Sequence, residues 1–210
     1  GMIQMWFPIL VTVATGYLLG NINGAVSVSA LKHDDVRSHG SGNAGLTNYF
    51  RNFGGKSTFL VLLVDLVKTL LGCAVGYLLL QPYDLSAEGA MLGGFCVSLG
   101  HDFPALLGFR GGKGIVCGLA VALAVDWRIA VLIIVIFLLA YCLTKYVSLG
   151  SVLAAVSYGI GFCVLHWHEP MVAAMGTAIA LMALYMHRGN IKRLLNGTES
   201  KVHLKKGKKS

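Results

Sequence analysis

Charge is scarce in this chain. Asp, Glu, Lys and Arg make up 12% of its 210 residues, about half the share of a soluble globular domain. Proline is rarer still, at four, so little punctuates the long apolar runs. A mean hydropathy of +0.71 agrees with those runs, which exceed what a soluble core needs. A water-soluble enzyme is excluded, and the expected fold class is an all-α integral membrane protein. The five cysteines, Cys73, Cys96, Cys117, Cys142 and Cys163, stand singly in apolar stretches with no C-x-x-C pair. They are expected to be buried thiols and not a redox or metal centre. The seven histidines form no H-E-x-x-H. No carboxylate set converges either, so no metal and no other cofactor is expected.

What is present is a series of apolar segments, at 5–31, 57–80, 86–100, 114–125, 129–144, 147–165 and 171–186. Several fall short of the ~20 residues a crossing needs, and charge decides how to count them. With seven spans, fifteen of the 17 Lys and Arg fall on one side, among them Lys205, Lys206, Lys208 and Lys209 of the tail. The other side keeps Arg128, and Lys68 lies inside a span. Merging 114–144 into one helix would put the basic tail outside, against the positive-inside bias. The expectation is therefore a single bundle of seven transmembrane helices, N-terminus out and C-terminus in. It forms one domain over 2–210, with 187–210 as a cytoplasmic tail and Gly1 read as a cleavage scar.

Polar residues inside spans should face protein or a wet cavity. Asn21 and Asn23 interrupt the first span, and Asp65 and Lys68 share a face of the second, three residues apart. The pair is expected to be structural support. His166 and His168 flank Trp167 in a short turn that fits the membrane interface. A net charge of +8 raises the question of nucleic acid. The cations are juxtamembrane and lack interleaved aromatics, so anionic lipid headgroups are the expected partner and nucleic acid is not.

Three polar segments on one side carry the chemistry. The first, Ser38–Gly54, holds Gly40, Gly42 and Gly45 in a G-x-G-x-x-G pattern. Without a preceding buried strand this is no dinucleotide fingerprint. What remains is Ser41, Asn43, Thr47, Asn48 and Arg51, neutral hydrogen bonders plus a fork-shaped cation suited to a phosphate monoester. Thr47 is placed to cap a short helix over 47–52. The second, 99–118, holds His101, Arg110 and Lys113 among Gly111, Gly112 and Gly114. Small residues let an anion approach the backbone, and a helix opening at Ile115 adds its positive dipole end. The third, His187–Glu199, begins where the last span ends, with His187 and Asn190 on one face and Arg188 and Arg193 nearby. No acidic pair, Ser-His-Asp order or metal cluster accompanies them. Positive charge without a nucleophile suits a phosphorylated, already activated substrate. A small anion transporter is the competing reading. It predicts internal repeats, and the three segments do not resemble one another.

At these stretches the chain resembles the bacterial acyl-phosphate:glycerol-3-phosphate acyltransferases, the PlsY family. That family carries S-G-N-x-G-x-T-N-x-x-R, then G-H-x-F-P with F-x-G-G-K-G, then H-R-x-N-I-x-R-L-x-x-G-x-E. All three stand here in order, and the resemblance runs from the first span to Glu199. The other glycerol-3-phosphate acyltransferase superfamily uses H-x-x-x-x-D, and no histidine here has Asp five residues on. The resemblance implies a seven-helix enzyme of the bacterial inner membrane with its site on the cytoplasmic face. It implies transfer of a fatty acyl group from acyl phosphate to the 1-hydroxyl of glycerol 3-phosphate, giving lysophosphatidic acid and phosphate, and it is compatible with a monomer. Catalytic roles map onto Ser41, Lys113 and His187. Substrate-binding roles map onto Asn43, Thr47, Asn48, Arg51, His101, Asn190 and Arg193. Gly42, Gly45, Gly111, Gly112 and Gly114 support them, with Asp65 and Lys68. The chain departs from the family at GNING, where GSIPF is common, at Cys117 for Thr and at Gly189 for Glu. These departures bear on packing at the mouth and on acyl-chain preference.

Overall fold

The computed structural model describes residues 2–202. Gly1 and the tail cations Lys205, Lys206, Lys208 and Lys209 lie outside the described residues. Among those described there are ten α-helices and no strand: α1 Met2–Asn21, α2 Gly24–Ala30, α3 Leu46–Phe53, α4 Ser57–Leu80, α5 Ser86–Asp102, α6 Ile115–Val125, α7 Trp127–Thr144, α8 Val147–Leu165, α9 Pro170–Met186 and α10 Arg188–Leu195.

Helices α4, α7 and α8 are each long and apolar enough to cross a membrane, as is α5 together with the turn that carries it on to Leu107. Two bent pairs could each supply one more span, α1 with α2 at 43° and α9 with α10 at 57°. Helix α6 has 11 residues, roughly 16 Å of rise and about half a hydrocarbon core. The chain is thus an integral membrane bundle in which the seven expected apolar segments are all helical. The first expected span, 5–31, is not one helix. It breaks at Ile22, because Asn23 leaves the helix to cap α2, its side chain accepting from Val26 N.

Large apolar side chains remain exposed along the helices, including Phe7, Leu18, Leu71, Leu139, Leu143 and Val164. In water such a surface would aggregate; in a bilayer it faces lipid. Association must then come from close packing, not from hydrophobic burial. Small residues provide it. A Cβ on Gly76 would lie 1.9 Å from the Gly89 carbonyl oxygen, and one on Gly72 or Gly93 would strike the facing helix in the same way. Both helices space these glycines four apart, so α4 and α5 meet along G-x-x-x-G faces. Gly16 and Gly20 dock α1 onto α5 by the same device. A second cluster, around Met91, Ile129, Phe162 and Val172, joins α5 and α6 to α7, α8 and α9.

Segment 31–56, loop 103–114 and turn 145–146 meet the residues after Met186 at one end, joined by Ala44 N to Gly111 O, Arg51 to Ser200 O and Val202 N to Lys145 O. The opposite end carries Trp6, Trp127 and Trp167, all more than half exposed, as an interfacial aromatic belt would be. The expectation that every cysteine is buried is corrected. Cys73, Cys96 and Cys117 are buried and free, whereas Cys142 and Cys163 are exposed. The latter two sit on outward faces of α7 and α8, where a thiol is apolar enough for lipid.

Candidate active site

The polar end of the bundle opens into a cleft of about 910 Å³, mouth included. All ten side chains assigned catalytic or binding roles from sequence line it: Ser41, Asn43, Thr47, Asn48 and Arg51, then His101 and Lys113, then His187, Asn190 and Arg193. Gly45, Asp65 and Gly114 line it too. Gly42, Gly111, Gly112 and Lys68 are not among its lining residues.

The first loop is organised by Asn48. Its buried amide nitrogen lies 3.0–3.1 Å from the carbonyls of Val36, His39 and Asn43, and its Oδ1 accepts from Ser41 N at 3.1 Å. That amide is fully engaged, so Asn48 shapes the loop that presents Ser41. Gly40, at φ +55°, passes so near Asn48 Oδ1 that a Cβ would lie 2.5 Å away. Helix α3 starts at Leu46 with Gly45 at its N-cap and no side-chain cap. The expected cap by Thr47 is thus corrected: Thr47 falls inside the first turn, which leaves its hydroxyl on the cleft wall. Ser41 is exposed. Among the described residues its Oγ accepts only a long bond of 3.4 Å from Asn43 N.

The second loop is tied down from both sides. Ala44 N and Asn43 Nδ2 donate to Gly111 O, each at 3.3 Å. Arg37 donates to Leu107 O at 3.0 Å while paired with Asp35. Tyr17 OH donates to Phe103 O at 2.8 Å, and Asn21 Oδ1 accepts from Leu106 N at 2.9 Å. The glycines here serve packing more than ligand approach. A Cβ on Gly112 would lie 2.1 Å from His101 Nε2, and one on Gly111 would lie 2.0 Å from His101 O. Gly114, at φ +69°, turns the chain into α6 as its N-cap.

Behind the cleft wall sits a buried polar knot. Lys68 Nζ lies 2.9 Å from Asp65 Oδ1 and 2.8 Å from His101 Nδ1, and it donates to Ile22 O at 2.7 Å and Gly20 O at 3.2 Å. The carbonyls are those freed where α1 breaks into α2, and Asp65 Oδ1 also accepts from Gly24 N at 3.0 Å. The pairing of Asp65 with Lys68 expected from their spacing is present, and it closes the helix break.

The third segment supplies the remaining wall. Lys113 Nζ donates to Asn190 Oδ1. Asn190 Nδ2 donates to Glu199 Oε1 at 2.9 Å, and Arg193 Nε to Glu199 Oε2 at 2.7 Å. Arg51 reaches Ser200 O at 3.1 Å, and Val202 is held by Lys145 and Tyr141. The segment after α10 thereby straps the cleft's cations together. Burial, reinforced by repulsion from Arg193 and Arg51 and partly offset by Glu199, lowers Lys113 to about 8. Burial also lowers His187 to about 4, so its imidazole is neutral near pH 7. Its Nδ1 lies 2.8 Å from Ala183 O; a neutral ring must donate there, which leaves Nε2 as an acceptor.

Glu199, Ser148, Ser151 and Phe137 line the cleft without having been assigned a role from sequence. Glu199 was legible as the last residue of the third motif. The others sit in apolar spans with no local signal. Together, Arg51, Lys113 and Arg193 supply positive charge from three separate segments, opposite an apolar wall of Ile115, Val116, Phe137 and Val147. Such a cleft can hold a phosphate beside a hydrocarbon chain.

Comparison with known proteins agrees in extent and architecture. Against a glycerol-3-phosphate acyltransferase of Thermoanaerobacter sp. (strain X514), the chain is 36% identical over 194 residues, 92% of this chain and 95% of the relative. Against one of Clostridioides difficile (strain 630) it is 36% identical over 205 residues, 95% and 98% of the two chains. The fold matches crystal structures of PlsY, an integral membrane glycerol 3-phosphate acyltransferase. Its glycerol 3-phosphate form gives a TM-score of 0.84 at 32% identity, over 93% of this chain and 96% of that one. Its lysophosphatidic acid form gives 0.81 at 31%, over 93% and 95%. Residues 10–197 match the sequence model of the family described as glycerol-3-phosphate acyltransferase, and the chain belongs to that family.

Proposed function

We propose that the chain transfers a fatty acyl group from acyl phosphate to the 1-hydroxyl of glycerol 3-phosphate, the first step of phospholipid synthesis. The hydroxyl oxygen attacks the acyl carbon, and the bond from that carbon to the phosphate oxygen breaks. Inorganic phosphate leaves with the electron pair, and the hydroxyl proton passes to phosphate. Lysophosphatidic acid is the other product. Arg51, Lys113 and Arg193 hold the two phosphates, Ser41 and Thr47 donate to their oxygens, and Asn190 keeps Lys113 aimed inward. His187 Nε2 accepts from the attacking hydroxyl and orients it. An imidazole lowered to about 4 is a poor proton acceptor near neutrality, which supports substrate phosphate as the base.

The observation that carries this reading is the meeting of three cations from distant segments in one cleft with an apolar wall. Among the described residues, no cleft Ser or Cys is hydrogen-bonded to a histidine that could activate it. An acyl phosphate already has a good leaving group, so direct transfer needs neither.

The topology we propose has seven crossings in one domain, N-terminus out, with the cleft on the cytoplasmic face of a bacterial inner membrane. Among the described residues, eleven Lys and Arg stand in the loops and the segment after Met186 that meet at the cleft end, which supports that orientation. The enzyme is proposed to work as a monomer without cofactor, in contact with membrane lipid. The test is direct. Purified protein is mixed with palmitoyl phosphate and glycerol 3-phosphate, and phosphate release is followed, with acyl-CoA and acyl carrier protein thioesters as control donors. Release that depends on glycerol 3-phosphate, with the thioesters inert, is expected. Turnover of a thioester in place of acyl phosphate would overturn the proposed donor.

A further inference from the structure

We infer that Lys68 is a positioning residue: its ammonium fixes His101 as the Nε2–H tautomer, which turns a neutral hydrogen-bond donor toward the cleft. Lys68 Nζ has four neighbours, Asp65 Oδ1, Gly20 O, Ile22 O and His101 Nδ1, at 2.7–3.2 Å. Three are oxygens that can only accept, one of them a carboxylate, which demands the protonated amine. An ammonium has three donors and no lone pair. With four neighbours for three hydrogens one hydrogen is shared, and an N–H on Nδ1 would face the ammonium head-on at 2.8 Å, so Nδ1 accepts and is the unprotonated nitrogen. The proton of a neutral imidazole then sits on Nε2.

The surroundings hold this arrangement. Asp65 Oδ1 stands 3.6 Å from His101 Nδ1. It would draw a proton onto that atom were Lys68 not beside both, its ammonium touching each. On the other side the ring lies against Gly112, whose missing Cβ leaves just enough room for Nε2. His101 lines the cleft, and among the described residues its Nε2 has no hydrogen-bond partner. A fixed donor at the wall of a phosphate cleft suits an oxygen that gains negative charge in the reaction. In acyl transfer that is the carbonyl oxygen of the acyl group or the departing phosphate. Lys68 thus acts at a distance: it touches no substrate, and it chooses which nitrogen His101 offers.

The tautomer stands whatever the substrate, while its role in turnover rests on the acyl-transfer reading. The experiment separates the two. Protein labelled with ¹⁵N-histidine is compared with H101Q by NMR, so that the difference spectrum isolates His101. A protonated Nε2 with a bare Nδ1 is expected near neutral pH. A protonated Nδ1 would overturn the inference even in a fully active enzyme. K68M is expected to move the proton to Nδ1, facing Asp65. It should also lower kcat by about 100-fold with the KM for glycerol 3-phosphate changed less than about threefold. An unmoved tautomer in K68M would also overturn it. Should K68M fail to fold, two His101 variants give the answer. The Gln side-chain nitrogen falls near Nε2 and that of Asn near Nδ1. H101Q is expected to keep at least ten times the kcat of H101N, and equal losses would count against the donor role.

Discussion

Each end of the bundle holds a histidine among carboxylates and cations, and the two clusters are built to opposite ends. Away from the cleft, His166 Nε2 meets Asp126 Oδ2 at 3.0 Å and its Nδ1 meets Glu169 Oε2 at 2.5 Å. Asp126 is itself paired with Arg128 at 2.7 Å and caps α7. Both ring nitrogens of His166 and both oxygens of Asp126 are engaged, so the cluster clasps the α6–α7 turn to the α8–α9 turn. In the cleft, His101 and His187 each spend one ring nitrogen on the protein and keep the other free. Of Arg51, Lys113 and Arg193, among the described residues only Arg193 forms an ion pair, with Glu199. A closed cluster stabilises; an unfinished one is ready to be completed by a ligand. In the proposed reaction the two substrate phosphates meet this excess of cations.

The contrast can be broken hardest at Lys113. Lys113→Ala removes a charge that only a ligand fully answers, and kcat/KM should fall about 10²- to 10³-fold; near-normal turnover would remove the phosphate clamp from the account. Next comes Gly112→Ala. Its new methyl would sit 2.1 Å from His101 Nε2, and displacing that ring should cost about 10- to 100-fold in activity, while Gly189→Ala, with only Arg193 Nη1 at 3.5 Å, costs less than about twofold.

pH gives a gentler probe of the same charges. Lys113, lowered to about 8, loses its proton as pH rises through that value. The KM for glycerol 3-phosphate should therefore be flat between about pH 6 and 8 and climb several-fold above that range. On the acid side, substrate phosphate takes up a proton near pH 6. His187, at about 4, stays neutral there. The acid limb of kcat/KM should then lie at about 6 and survive in H187N, and its disappearance in that variant would assign the base to His187. The smallest effect on catalysis belongs to the closed cluster. Asp126→Ala should leave kcat within about twofold, yet lower stability by about 1–2 kcal/mol through the lost cap, measured by thermal unfolding in detergent.

Local signals carried much of this molecule. The helices fall near the expected spans because apolar runs and charge asymmetry are properties of contiguous sequence. The ten cleft side chains were legible because their motifs crowd Gly, Asn and Arg into short loops. Contacts between distant residues left no such trace. Asn23 reads as an awkward polar residue in a span until its bonds to Val26 N and Ala44 O show it ending α1 and anchoring the first loop. Gly112 reads as room for a ligand until His101 is found against it. Asp65 and Lys68 are three apart and pair as spacing suggests, but that Lys68 also reaches His101, 33 residues on, no periodicity could tell. Clasping of Asp126 by His166 spans 40 residues in the same way.

The proposed reaction requires one cleft to hold acyl phosphate and glycerol 3-phosphate together, with the acyl group passing directly between them. Initial rates measured over a grid of both substrates test this most directly. The account predicts reciprocal plots that intersect, the mark of a complex containing both. Parallel lines, together with an acylated protein formed from acyl phosphate alone, would show that the enzyme carries the acyl group itself and would contradict it.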